Sequence, residues 1–485
     1  MSFPLRPLAA ICLGVFMVIM DATIVNVALP ALGHDFGAPV ADLQWVVDGY
    51  TVIFAGLLLL AGGLGDRYGS RRMFRAGLVV FGVTSLACGL APSLLVLIGA
   101  RLCQGVGAAL LLPSSLALLQ ASYRDPQVRA RAIGAWGAVG GAAAAAGPLC
   151  GGLAVASVGW RGVFFVNLPV AAVGWRLVQR GVPETERPES ARRGLDWPAQ
   201  TAGVLALVAL TLAVIESGRK GVLGTPLVPA AAVVAVLAGA GFLALERRSA
   251  APMLPLGLFR SRELSAATGV GTLMNFSFYG VLFVMSLYLQ HVRGMSPLLT
   301  GVALVPQTAM VAAGSWLGGK LTGRYGPRPP MVLGMLLGAA AFAGLALAGA
   351  HTPYLYLALP MAASGAGISI TMPAATAAVV EAAPTGRTGV ASGALNAARQ
   401  VGSALGIAVL GALLGAGAGF VAGMRVGMLV ASAAYLLGAG LAVLCRPSRG
   451  DREAEFRKAD RGSSRVPERA GVGLAPARDG GQQDG

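Results

Sequence analysis

Long apolar stretches separated by short polar turns run along the chain from residue 8 to residue 445. A helix that crosses a bilayer needs about 20 mostly apolar residues. Stretches of that kind fall at 8–29, 43–64, 74–92, 94–119, 132–156, 163–180, 199–215, 227–245, 264–290, 298–319, 330–350, 354–380, 390–417 and 423–445. The pattern predicts fourteen membrane helices. Arg6 before the first stretch and Ala31-Leu32-Gly33 after it imitate a signal peptide with its cleavage site. The run is too long for a signal peptide's apolar core and contains Asp21, so an uncleaved first helix is expected.

Composition narrows the class further. Of 485 residues, 55% are hydrophobic and only 12% charged, and the mean hydropathy is +0.71. A soluble domain carries roughly 25% charged residues, so this chain cannot clothe a water-facing surface. Soluble enzymes, nucleic-acid binders and disordered scaffolds are excluded on that ground. Its 70 glycines suit helices that approach closely in lipid. Cys12, Cys88, Cys103, Cys150 and Cys445 lie in or beside apolar runs and read as small buried hydrophobes, not as a disulfide framework.

The net charge of +16 becomes informative once it is mapped onto alternate turns. With the N-terminus in the cytoplasm, thirty Lys and Arg fall on the cytoplasmic side and five on the other, with Arg101 and Arg399 inside spans. That imbalance predicts a multi-pass protein of the cell membrane with both termini cytoplasmic. The basic excess is then a topogenic signal and a contact for anionic lipid, with no nucleic-acid partner implied.

Two blocks of six spans, 1–182 and 263–445, flank a central linker, 183–262, that holds spans seven and eight. The tail 446–485 carries nine bases, seven acids and runs of Gly, Pro, Ser and Gln, and is predicted to be disordered. Spans seven and eight lack a mid-span charge and are expected to form a peripheral hairpin. An internal repeat supports the two blocks. Gly62-Gly63-Leu64-Gly65-Asp66-Arg67-Tyr68-Gly69-Ser70-Arg71-Arg72 follows span two, and Gly319-Lys320-Leu321-Thr322-Gly323-Arg324-Tyr325-Gly326-Pro327-Arg328 follows span ten, at a constant offset of 257 residues. Repeated halves are the usual build of secondary transporters, with the site between them at the midplane.

Several motifs together resemble the fourteen-helix drug:proton antiporter family of the major facilitator superfamily, and within it the actinomycete antibiotic-resistance exporters. They are Asp21-Ala22-Thr23-Ile24-Val25-Asn26-Val27-Ala28-Leu29-Pro30, Gln44-Trp45-Val46-Val47-Asp48-Gly49-Tyr50, the Gly62–Arg72 turn and Arg101-Leu102-Cys103-Gln104-Gly105. Gly147-Pro148-Leu149-Cys150-Gly151-Gly152, Trp160-Arg161, Asn167-Leu168-Pro169 and Leu395-Asn396-Ala397-Ala398-Arg399-Gln400-Val401-Gly402 complete the set. The resemblance extends to about residue 445. It implies an all-α integral membrane protein of the major facilitator fold, with fourteen transmembrane helices as two six-helix repeats plus a two-helix insertion. It implies a monomer, and makes Gly147, Pro148 and Gly151 the antiport signature. The second copy of the turn departs from the pattern, with Gly323 where the first has Asp66.

Ionisable groups at membrane depth are functional candidates by default. Asp21 lies at mid-depth in span one, Asp48 nearer the outer surface in span two, and Arg101 in span four. These three are the candidates for proton coupling. His34, His291 and His351 all fall at the outer face, so carboxylates must carry any proton that crosses. A carboxylate holds a proton when desolvated and gives it up beside a guanidinium, which would let alternating environments load and release it. The bland alternative is that these groups pair and hold helices in register.

Asp66, Arg67, Arg71 and Arg72 are candidates for a gating latch at the cytoplasmic turn, with Asp66 near a helix N-terminus; a purely topogenic basic loop is the alternative. Small residues at Gly137, Gly141, Gly147, Gly151, Gly402, Gly406, Gly411 and Gly415 allow close helix approach, and Pro148 should bend its helix. Asn275, Tyr279 and Phe283 in the aromatic-rich span nine, with Asn26, Asn396 and Arg399, are candidate substrate contacts, against ordinary packing or lipid exposure.

Gly314–Lys320 imitates a phosphate-binding loop, but Leu321 replaces the required Ser or Thr and no strand precedes it. No metal spacing, cofactor motif or nucleophile constellation occurs. The expected function is export of a small lipophilic drug or antibiotic in exchange for protons, by a protein that is not an enzyme. The alternatives are a proton-coupled uptake symporter, which a pH jump would distinguish by the direction of substrate movement, and a non-transporting membrane sensor.

Overall fold

Each apolar stretch forms a helical path through the molecule, because a chain in hydrocarbon must satisfy its backbone internally. The computed structural model describes residues 5–123, 125–182, 196–220, 225–249, 252, 254–384, 388–414 and 419–445. The basic run 183–195 and the tail 446–485 lie outside the described residues. The helices are α1 (Leu5–Phe36), α2 (Val40–Tyr68), α3 (Ser70–Gly89), α4 (Leu94–Ser122), α5 (Pro126–Val158), α6 (Gly162–Phe165), α7 (Asn167–Gly181) and α8 (Trp197–Lys220). They continue with α9 (Leu227–Arg248), α10 (Arg262–Leu287), α11 (Pro297–Ala303), α12 (Val305–Tyr325), α13 (Arg328–Leu345), α14 (Tyr354–Ala382), α15 (Thr388–Leu414) and α16 (Phe420–Val443).

All fourteen predicted spans are present. Among the described residues thirteen helices are long and apolar enough to cross a membrane, and fourteen when the bent pair α11–α12 counts as one span. That pair meets at 45°, and Pro306 in the first turn of α12 supplies no N–H to bond back into α11. The phosphate-loop imitation, residues 314–320, lies within α12. A continuous helix there presents no free backbone N–H groups to a phosphate.

The first six spans pack largely among themselves, α1 on α5 and α7, α2 on α4, and α3 on α4 and α7. The last six do likewise, α10 on α15 and α16, α12 and α13 on α14, and α13 on α16. Helix α8 lies against both α2 and α15, and α9 packs on α8. Most of α9 faces outward, with Val228, Ala231 and Glu246 its buried residues.

The repeated turn is repeated in three dimensions. α2 ends at Tyr68 with Gly69 at φ 94, and α12 ends at Tyr325 with Gly326 at φ 73. Left-handed backbone at a helix terminus favours glycine. In both copies the preceding arginine lies over the tyrosine ring, Arg67 on Tyr68 at 5.5 Å and Arg324 on Tyr325 at 5.3 Å.

Contact between the two groups is closest at the base-poor end of the bundle. Gln44 Nε2 donates to the carbonyls of Ile407 and Ala408 at 3.1 Å, Ser286 Oγ to Asn26 O at 2.7 Å, and Gln290 Nε2 to Val27 O at 3.1 Å. A Cβ at Gly152 would lie 2.6 Å from Pro297 O, and one at Gly301 would strike Pro148 O. At the base-rich end, by contrast, Gly62, Gly134, Gly137, Gly319 and Gly323 have nothing within 4 Å of a Cβ position.

Glycine contacts also hold each group together. A Cβ at Gly406 of α15 would strike the Phe276 carbonyl of α10, and one at Gly280 would lie 2.6 Å from Gly406 O. Gly406→Val should therefore lower stability by about 1–3 kcal/mol, read as a lower melting midpoint in detergent. Gly62→Ala, in open space, should melt at or above the parent temperature; equal melting of Gly406→Val and the parent would refute the contact.

Candidate functional site

Asp21 sits midway along α1, fully buried, at the convergence of five helices. Arg101 of α4 donates through Nη1 to Asp21 Oδ2 at 2.5 Å, with neither side chain exposed. Asp21 Oδ1 accepts from Gln104 Nε2 at 3.1 Å and from Asn167 Nδ2 at 2.8 Å. The same two amides reach Ser85 Oγ of α3, at 2.8 and 3.2 Å. Arg101 Nη1 also donates to Gln104 Oε1 at 2.7 Å, and Nε to the Val46 carbonyl of α2 at 2.8 Å.

Aromatic faces complete the enclosure. The Arg101 guanidinium lies 4.3 Å from the Tyr50 ring centroid and 5.9 Å from that of Phe164. Tyr50 in turn donates to the Val18 carbonyl at 3.2 Å. A desolvated ion pair is tolerated only when further hydrogen bonds share its charge, and this one, between α1 and α4, receives them from α2, α4 and α7, with Ser85 of α3 accepting from the two amides. The carboxylate thus has three donor contacts, all from side chains that depend on tertiary packing.

Asp48 has the opposite surroundings. It is fully buried in α2, and neither carboxyl oxygen has a hydrogen-bond partner among the described residues. Gln44 and Thr51, four residues before and three after Asp48 on the same face of α2, are buried too. Gln44 reaches across to α15, while Thr51 bonds back to Val47 O at 3.0 Å.

A second polar cluster joins α10, α14 and α15. Asn275 Nδ2 donates to Ser403 Oγ at 3.1 Å, and Ser403 Oγ to Arg399 O at 3.1 Å. Arg399 Nη1 lies 3.4 Å from Asn396 Oδ1, Nη2 lies 3.3 Å from Met372 Sδ, and Nε has no partner. Tyr279 lies in electrostatic reach of both Arg399 and Tyr50. Asn26 uses Nδ2 on the Ala22 and Thr23 carbonyls, leaving buried Oδ1 unpaired. Phe283 is wholly buried, beside Gly411.

The structure thus unites Asn275, Tyr279, Asn396 and Arg399, and keeps Asp21 with Arg101. It separates the turn residues into different roles. Asp66, Arg67 and Arg72 are exposed and enter no ion pair among the described residues. Arg71 instead donates to the C-terminal carbonyls of α7, at 2.9 Å to Gln179 O and 3.5 Å to Val178 O, where a cation complements the helix dipole.

Gly147 and Gly151 meet α1, their Cβ positions blocked by Thr23 and by Ile24 O, the latter at 2.7 Å. Their neighbours Pro148 and Gly152 meet α11. Asp35 ties the end of α1 to Trp160 Nε1 at 2.8 Å and Arg161 Nη1 at 3.2 Å. Cys103 is exposed, unlike the expectation that every cysteine is buried; its place on α4 directs it outward, away from the packed face that holds Arg101 and Gln104.

Gln104, Ser85 and Asn167 were not candidates from sequence alone. The signal available for them was a polar side chain in each of three spans, one of them three residues after Arg101. Removing one member of the buried pair strands the other. Arg101→Ala should cost about 3–5 kcal/mol, seen as loss of folded protein in membranes. The double substitution Asp21→Asn with Arg101→Gln should recover much of that yield. A double variant no better folded than Arg101→Ala would refute a cost centred on the pair.

Residues 11–407 match the model of the Major Facilitator Superfamily. The chain is 37% identical over 444 residues to the methylenomycin A resistance protein of Streptomyces coelicolor, spanning 91% of this chain and 93% of that protein. It is 41% identical over 403 residues to the tetracenomycin C resistance and export protein of Streptomyces glaucescens, spanning 83% and 74%. Among solved structures it is similar in fold to the Escherichia coli xylose transporter XylE in a partially occluded inward open conformation. The TM-score there is 0.64 at 14% identity, over 92% of this chain and 100% of that one. With fourteen apolar helical paths, a duplicated turn and this breadth of match, the chain belongs to the Major Facilitator Superfamily.

Proposed function

We propose that the chain is a proton-driven antiporter of the cell membrane, working as a monomer, that exports small lipophilic antibiotics or drugs. The buried Asp21–Arg101 pair with its amide shell carries this reading. It supplies a single switchable charge at mid-depth, in a chain whose relatives are named for antibiotic resistance and export. In this reading 1–182 and 263–445 are the two moving halves. The linker 183–262 supplies α8 and α9 at the periphery, and no step calls for a cofactor or catalytic chemistry.

The base-rich end is cytoplasmic in this reading, which places both termini inside and the close-packed end outside. The structure then corresponds to a state closed to the exterior. Asp21 is ionised and held by Arg101, Gln104 and Asn167. Asp48, buried with no hydrogen-bond partner among the described residues, carries a proton in this reading, because an unpaired buried anion is strongly disfavoured. Substrate enters from the inside and meets Asn275, Tyr279, Phe283, Asn396 and Arg399 on one wall and Asn26 on the other.

When the outside opens, a proton reaches Asp21 and removes the charge that Arg101 opposes. Return to the inside and loss of that proton restore the pair. Gly147, Pro148 and Gly151 provide the close contact about which the halves rock. One charge entering down 100 mV supplies about 2.3 kcal/mol, enough for about a fiftyfold substrate gradient.

Asp21→Asn strands Arg101 and should lower the folded yield, but the purified folded fraction should lose substrate-driven proton movement in proteoliposomes, because the amide keeps the shape and cannot carry the proton. Asp48→Asn should be milder for neutral substrates and more damaging for cationic ones. Wild-type exchange by Asp21→Asn would leave Asp21 a structural residue. Inward protons carrying substrate in would instead establish the symporter.

The turn residues act in the other half of the cycle, when the inside closes and Asp66 with Arg67 and Arg72 latches the halves. Asp66→Asn should insert normally and lower turnover in a transport assay. Undiminished turnover, with Arg71→Ala alone harmful, would reduce the turn to a basic loop that anchors α7.

A further inference from the structure

Arg72 and Arg75 occupy the first two turns of α3, and no carboxylate pairs with either among the described residues. They open onto a cavity of about 480 Å³ between α3 and α7, whose other walls are Ala76, Val79, Val80 and Trp175. The Arg75 guanidinium stacks 4.5 Å from the Trp175 ring centroid, and its Nε is buried without a partner. Arg72 is exposed. The cavity therefore has a cationic end and an apolar end.

Depth and exposure place it against lipid. At 1.5 Å per residue, the arginines lie within about 8 Å of the base-rich end of α3, and Val79 and Val80 about 14 Å from it. Val79, Val83 and Leu86 continue the same helix with 47%, 62% and 42% exposure. This face is turned away from the packed interior, where Phe74, Leu78 and Phe81 are buried. Tryptophan and arginine at such a boundary anchor a protein where headgroups meet acyl chains.

We infer that this groove binds an anionic phospholipid, with the phosphate on Arg72 and Arg75 and an acyl chain along Val79 and Val80. Two guanidinium groups with no counter-ion among the described residues, Arg75 partly buried and Arg72 exposed, are matched by a phosphodiester, which accepts paired N–H donors. The valine walls have no complement in a free phosphate ion. They match a ligand that continues from its charge into hydrocarbon. The leaflet follows from the proposed orientation, and the binding itself does not depend on the transport reading.

Native mass spectrometry of the purified full chain tests the site, with dioleoylphosphatidylglycerol and dioleoylphosphatidylcholine as probes. The parent should retain phosphatidylglycerol in preference to phosphatidylcholine. Arg75→Gln should weaken that retention about fivefold, the worth of one basic residue at an anionic surface. Val79→Trp, which fills the apolar end with both arginines in place, should weaken it as well, and excess inorganic phosphate should not displace the lipid. Equal retention of the two lipids, or undiminished retention in both variants, would overturn the inference. Displacement by inorganic phosphate would overturn it in favour of a free-anion site. Elution volume and melting midpoint, unchanged in at least one of the two variants, keep the comparison between folded proteins.

Discussion

The rest of the bundle is arranged around one constraint, the fully buried contact between Asp21 and Arg101. Two charges out of water are not a source of net stability; desolvation offsets their attraction unless other groups share the charge. Gln104, Asn167 and the Val46 carbonyl do so, and Ser85 accepts from the two amides. Because they come from different helices, keeping the pair satisfied fixes how α1, α2, α3, α4 and α7 sit. The helices are held in register by the need to satisfy one carboxylate. A charge that organises five helices is also one whose neutralisation all five would register.

The last six spans are built on a different polarity. Among the described residues Arg399 enters no ion pair, and meets an amide oxygen and a thioether, with a tyrosine in electrostatic reach. Among the described residues the buried acids farthest from a helix end, Asp21 and Asp48, belong to α1 and α2, and α15 contributes a cation. Under the proposed function this separates the proton chemistry of one half from the substrate surface of the other. They meet through the hydrogen bonds that Ser286 of α10 and Gln290 just past it make to α1.

Much of this was legible in the sequence because membranes impose few and strong rules. Length alone located fourteen spans, since hydrocarbon thickness sets the ruler. Asp21, Asp48 and Arg101 stood out because charge at that depth is costly. Gln104, Ser85 and Asn167 did not, since short polar side chains in spans usually bond to their own helix, as Thr51 and Thr84 do. Only packing decides which of them turn to a neighbour. Arg71 illustrates the same limit. Its place in the turn suggested the latch, while its reach to the carbonyls ending α7 depends on how α3 and α7 lie together.

The two copies of the turn separate structure from charge. Both end a helix at a tyrosine followed by left-handed glycine, and both lay an arginine over that tyrosine. Asp66 belongs to one copy only, its counterpart being Gly323. The second copy forms the same helix end without an acid, so the acid is not what makes the turn. Nor is Asp66 ion-paired among the described residues in the state seen here. An exposed acid that the fold does not use is free to act in another arrangement of the two groups. At the base-rich end, where glycines from α2, α5 and α12 face open space, there is room for that arrangement to form.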